Sequence, residues 1–131
     1  MPTATVGQSV TGLGDPISAS KEITDSRGTI VTETIPATSV DLPVPGFDAD
    51  VSVLSMLAML ATGADLTVKT NSSGAPDDTI SLADGVPLIY SGEPFETNPL
   101  TVDVTTGLFV SNADPTNDSV LDIRALEDST P

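Results

Sequence analysis

Leu66-Thr67-Val68-Lys69-Thr70 sets Leu66, Val68 and Thr70 on one side against Thr67 and Lys69 on the other, the period of two expected of a half-buried strand. The turn-rich run Asn71-Ser72-Ser73-Gly74-Ala75-Pro76-Asp77-Asp78 follows, then Thr79-Ile80-Ser81-Leu82 as a returning strand. Ala83-Asp84-Gly85 closes the unit, and Asp-Gly is a strong tight-turn signal. Strand, turn, strand, turn within about twenty residues is the grammar of an antiparallel all-β protein.

The same grammar extends in both directions. Downstream, Val86 to Tyr90 reads as a strand that Pro87 confines to an edge or a start, and Ser91 to Pro99 as a long polar connection. Leu100, Val102 and Val104 alternate, Gly107 to Ser111 is a strand, and Ser119 to Leu126 is the last, with Arg124 facing out. The end, Glu127-Asp128-Ser129-Thr130-Pro131, has the composition of a frayed tail.

Upstream, Thr29 to Ile35 is β-branched at nearly every position, and Val40, Leu42 and Val44 alternate within Ser39 to Val44. Ser26-Arg27-Gly28 reads as a turn, and Ile17, Ala19 and Ile23 mark a weaker strand. Gly12-Leu13-Gly14-Asp15-Pro16 is a turn cluster, preceded by a strand or arm over Thr3 to Thr11 that Gly7 interrupts. One window is ambiguous. Val51 to Ala61 is rich in Leu, Met and Ala, and Val53, Leu57 and Leu60 would share a helical face. A strand with a phase change, such as a bulge, fits it as well and is favoured because both neighbours read as strands. A short helix is the alternative.

About eight strands at short spacing predict an antiparallel β-sandwich, jelly-roll-like, in a chain of 131 residues that fits one domain. Aromatic residues make up only 3% of the chain, so the core is expected to be built from Val, Ile, Leu, Met and Ala.

Nineteen acidic residues against Lys21, Arg27, Lys69 and Arg124 give a net charge of −15. Nucleic acid and anionic membrane surfaces both call for cationic groups, so neither is expected as a partner. The acidity reads as a solvated, self-repelling surface, with docking on a basic partner as the sharper alternative. Val51 to Ala61 is too short to span a bilayer, and Met1-Pro2-Thr3-Ala4-Thr5 has neither the basic nor the apolar region of a secretory signal.

The chain has no His and no Cys, which removes catalytic triads, thiolate nucleophiles and the usual zinc ligands. Paired carboxylates remain as candidates: Asp77-Asp78, Asp48 with Asp50, and Glu93 with Glu96. Nothing around them in the sequence would raise one pKa, so no catalytic residue and no cofactor is expected. Calcium is the better reading of the loops Asp48-Ala49-Asp50 and Asp114-Pro115-Thr116-Asn117-Asp118, but solvated turns explain them more simply, and no metal site is assigned. Asn71-Ser72-Ser73 and Asn117-Asp118-Ser119 match the glycosylation pattern, and Gly12-Leu13-Gly14 lacks the context of a phosphate loop. Met56 and Met59 are expected to fill core gaps, Lys69 to balance Asp65 or Asp78, and Tyr90 is the one candidate platform for a sugar.

Leu66 to Ser73 with Ala75 to Leu82, followed by Pro87-Leu88-Ile89-Tyr90, Asn98-Pro99-Leu100-Thr101, Leu108-Phe109-Val110-Ser111-Asn112 and Asp122-Ile123-Arg124-Ala125-Leu126, resembles small structural proteins of tailed bacteriophages. The resemblance covers roughly Ser39 to Pro131 and is one of pattern. It implies a non-enzymatic virion protein, a capsid decoration or minor head protein made in the host cytoplasm. Its partners would be the major capsid protein or other virion proteins, in a homo-oligomer for which a trimer is favoured. Residues 38–131 would form the sandwich, and residues 1–37 an arm or extra strands packed on it. A β-sandwich adhesin or carbohydrate-binding module on a tail or cell surface is the alternative.

Overall fold

Leu66, Val68 and Thr70 are buried and Thr67 and Lys69 half-buried, so the alternation predicted for this strand holds in the computed structural model, which describes residues 1–128. In chain order the strands are β1 (Thr3–Val10), β2 (Ile17–Thr24), β3 (Arg27–Ile35), β4 (Leu42–Val44) and β5 (Leu54–Thr62). They continue with β6 (Leu66–Thr70), β7 (Thr79–Leu82), β8 (Leu88–Tyr90), β9 (Leu108–Ser111) and β10 (Ser119–Glu127). All pairings between them are antiparallel.

Eight strands build two four-stranded sheets, ordered β3-β10-β5-β8 and β4-β9-β6-β7. The pairs β3/β10, β4/β9, β5/β8 and β6/β7 are nested: the chain runs as one long antiparallel ribbon, β3 to β6 outward and β7 to β10 back. Rolling that ribbon adds the β5/β10 and β6/β9 pairings and closes a jelly-roll-like sandwich. Leu57, Met59, Leu121 and Ile123 from one sheet meet Leu66, Val68, Leu108 and Val110 from the other in one core. The remaining strands, β1 and β2, form a separate two-stranded hairpin.

Val51 to Ala61 contains no helix. β5 is a strand from Leu54, with the predicted phase change realised as a bulge: Leu126 faces Met56 while Glu127 faces Leu54. Pairing to β10 on one side and β8 on the other overrides the helical propensity of Leu, Met and Ala. Residues 51–53 form a turn instead of extending the strand.

Other boundaries differ from expectation. β1 runs through Gly7, where a break was expected. Arg27 and Gly28 belong to β3, the turn falling one residue earlier at Asp25-Ser26. Val40 is exposed because Thr38 and Asp41 have φ of 65° and 49°, which breaks the alternation and leaves only Leu42–Val44 extended. β8 begins after Pro87, since the N–H of Val86 closes a turn on the carbonyl of Ala83. Leu100, Val102 and Val104 are not a strand: the first and last are buried, Val102 is exposed, and only Val104 makes an isolated bridge, to Ala49. The frayed tail fails at Glu127, which ends β10 at 2% exposure; residues 129–131 lie outside the described residues.

Candidate interaction surface

The acidic positions singled out in the sequence hold loops. Asp77 accepts from Asn71 Nδ2 at 2.7 Å, and Asp78 accepts from the N–H and hydroxyl of Thr101 at 2.8 and 2.7 Å. Glu93 pairs with Lys21, whereas one Glu96 oxygen accepts from Ser91 Oγ at 2.7 Å and from the N–H groups of Ser91 and Glu93, both at 3.1 Å. The Ser91 hydroxyl leads the effects that lower the Glu96 pKa. Asp48 pairs with Arg27, and Asp50 accepts from the hydroxyl and N–H of Ser52, the hydroxyl first among the causes that lower its pKa.

Asp114 closes a turn by accepting from the N–H groups of Thr116 at 2.9 Å and Asn117 at 2.8 Å, which lower its pKa in that order. Asp118 accepts from the N–H of Ala37 at 3.0 Å. Main-chain donors thus occupy oxygens that a cation would need, and among the described residues no three acidic groups converge. Lys69 pairs with neither Asp65 nor Asp78 but with Asp41, at 3.1 Å. The left-handed turn at Asp41 carries its carboxylate to Ser111 in β9, next to β6.

Two residues matter more than their sequence context suggests. Asn71, read as a glycosylation acceptor, donates to Asp77 and to the carbonyl of Asp103, and accepts from the N–H groups of Thr105 at 2.8 Å and Thr106 at 3.0 Å. The side chain of this one residue, whose backbone φ is 67°, therefore knots two loops. Its signal was the Asn itself, a residue type that tolerates this conformation at the end of a strand. Arg27 lies between Asp48 and the buried Glu127, whose Oε1 is 3.7 Å from the guanidinium while Oε2 accepts from the N–H of Asp50 at 3.1 Å.

The β1–β2 hairpin lies on the outside of the sandwich. Its strands pair along their full length, from Thr3 opposite Thr24 to Val10 opposite Ile17. Gly12 and Gly14, with φ of 88° and 68°, supply the left-handed positions of its loop. Ile23 is buried; with half-buried Ala4 and Val6 it covers Met56 and Leu126 on the outer face of the β3-β10-β5-β8 sheet. Met59 fills the sandwich core, so the two methionines serve different clusters.

The root of the hairpin is tied. The N–H of Asp25 donates to the carbonyl of Pro2 at 3.1 Å, and Gly28 lets Pro2 pack closely on β3, where a Cβ would be 3.0 Å from the proline ring. Lys21 reaches Glu93 and the carbonyl of Ser91. Beyond these contacts the loop end, with Leu13 and Ile17, stands exposed. Phe95, 86% exposed, borders a groove between the hairpin and the loop that follows β8. Tyr90, the aromatic that the sequence offered as a platform, packs against the core.

Fold and surface together define a jelly-roll-like β-sandwich that carries a projecting hairpin. No family model matches the chain, and no curated protein or solved structure is significantly similar to it.

Proposed function

We propose that the protein is a non-enzymatic structural component of a tailed-phage virion, a decoration or cementing protein that stabilises the head through contacts between subunits. The observation that carries this reading is the β1–β2 hairpin, a handle lying outside a complete sandwich, with Ile23 its one buried side chain among the described residues. The root of the hairpin is seated on the sandwich, whereas its loop end, with Leu13 and Ile17, is left exposed, and docking on a neighbour would cover it. The sequence resemblance implies the major capsid protein or another virion protein as that neighbour. The acidic candidates, engaged in holding loops, do not compete with this reading.

Purified heads lacking the protein, incubated with the full chain, should bind it stoichiometrically and resist heat or low salt better. A chain with Leu13→Glu and Ile17→Glu changes only exposed positions of the hairpin and should lose that binding while keeping its melting temperature. Heads that ignore the full chain would remove the reading. The exposed Phe95 supports the adhesin as the second reading: a glycan-array signal abolished by Phe95→Ala, without head binding, would replace the first.

A further inference from the structure

The sandwich has four edge strands, and three of them are blunted. β4 and β8 are three residues long and β7 is four; Pro43 sits inside β4 and Pro87 immediately before β8. Short edges and prolines are the usual protection against strand addition. β3 is different. It is nine residues long, pairs only with β10 among the described residues, and contains neither Pro nor Lys. Thr29, Ile30, Val31, Thr32, Thr34 and Ile35 are all β-branched, and Ile30 is 72% exposed. The hairpin packs on the face of the sheet, over Met56, Leu126 and, through Pro2, Gly28; among the described residues no strand pairs with the free side of β3.

We propose that β3 is a self-association edge, pairing antiparallel with β3 of a second copy about a two-fold axis at Val31. Two four-stranded sheets would then join into one of eight. Val31 is the middle residue of β3, so this register uses the whole strand. It sets Val31 opposite Val31, Thr29 opposite Glu33, and Ile30 opposite Thr32 of the second copy. It also places Arg27 diagonal to the Glu33 of the second copy, an attractive cross-strand neighbour.

Moving the axis to Glu33 would set two glutamates opposite each other, so charge favours the Val31 register over that one. Pairing over nine residues supplies about eight to ten main-chain hydrogen bonds, the number that a specific interface typically contains. Two chains of net charge −15 repel at a distance, so the contact should tighten as salt rises. This contact is two-fold, unlike the trimer that the sequence resemblance implies, and it does not depend on head binding.

Sedimentation of the purified full chain from micromolar to millimolar concentration is the test. A monomer–dimer equilibrium favoured by salt is expected, and Ile30→Lys should weaken it by at least about tenfold, as edge lysines do. That substitution lowers the negative charge, so a weaker dimer would report on the edge and not on net repulsion. The chain has no cysteine, so Val31→Cys should form a covalent dimer on mild oxidation much faster than Glu33→Cys. A monomer throughout, a dimer or trimer indifferent to Ile30→Lys, or equal cross-linking of the two cysteine variants would each overturn the proposal.

Discussion

Replacing Asn71 by Asp tests whether this side chain is the knot between the loops. The substitution keeps the shape, the tolerance for φ of 67°, and the acceptor oxygen that receives the N–H groups of Thr105 and Thr106. It removes both donors, the one to Asp77 Oδ2 and the one to the carbonyl of Asp103, each at 2.7 Å. It also turns a charge-assisted hydrogen bond into two carboxylates in contact. A hydrogen bond to a charged group contributes about 1.5–3 kcal/mol and a neutral one about 1, so the expected loss is about 3 kcal/mol.

For a domain of this size, that corresponds to a fall in melting temperature of about 12 °C. Urea denaturation followed by far-UV circular dichroism would give the difference. Asn117→Asp is the control: its Nδ2 contact with Asp114 is longer, 3.3 Å, and its loss should cost under about 1 kcal/mol. If Asn71→Asp falls within about 1 kcal/mol of the parent, or matches the control, the knot does not hold the loops.

Three further substitutions separate backbone geometry from ionisation. Gly63 has φ of 118°, and a Cβ there would overlap the carbonyl oxygen of Asp118, so Gly63→Ala should destabilise by several kcal/mol, about 3 or more. Gly74→Ala, where a Cβ meets nothing, should be near neutral, and equal melting temperatures would contradict the reading. Asp114→Ala addresses pH. The folded state holds the Asp114 carboxyl below its ordinary value of 3.8, so the unfolded chain binds the proton more readily. Its stabilisation is therefore present above pH 3.8 and lost as pH falls through the lower folded value. The gap between parent and Asp114→Ala should be widest at neutral pH and narrow in acid; a constant gap would refute the assignment.

The parts of the fold legible in the sequence are those with one wet face. β6, β7 and most of β10 alternate because one side meets the core and the other meets solvent or half-buried surface. β5 hid its class because it is central. Leu57, Met59 and Ala61 point into the core, while Met56, Ala58 and Leu60 lie on the face that the hairpin partly covers, so both registers are apolar and imitate a helix. Val40 misled for the opposite reason: the local alternation continues past Asp41, but the left-handed backbone there does not.

Contacts distant in sequence explain the rest. Glu127 reads as part of a tail because its partners, Arg27 and the N–H of Asp50, lie far away along the chain. The seat of the hairpin on Met56 and Leu126 is likewise fixed by tertiary contacts alone. The site reading fared in the same way. Of the carboxylates that are candidates by spacing, Asp50, Asp78 and Glu96 accept from main-chain N–H groups, and Asp48, Asp77 and Glu93 are engaged by Arg27, Asn71 and Lys21.

Imaging intact tailed-phage particles by electron microscopy, with and without this chain, is the most direct measurement of the proposed role. The account predicts a sandwich-sized density repeated over the head surface, with the β1–β2 hairpin inserted between capsid subunits. Particles identical in both preparations, with the protein left free in solution, would contradict it.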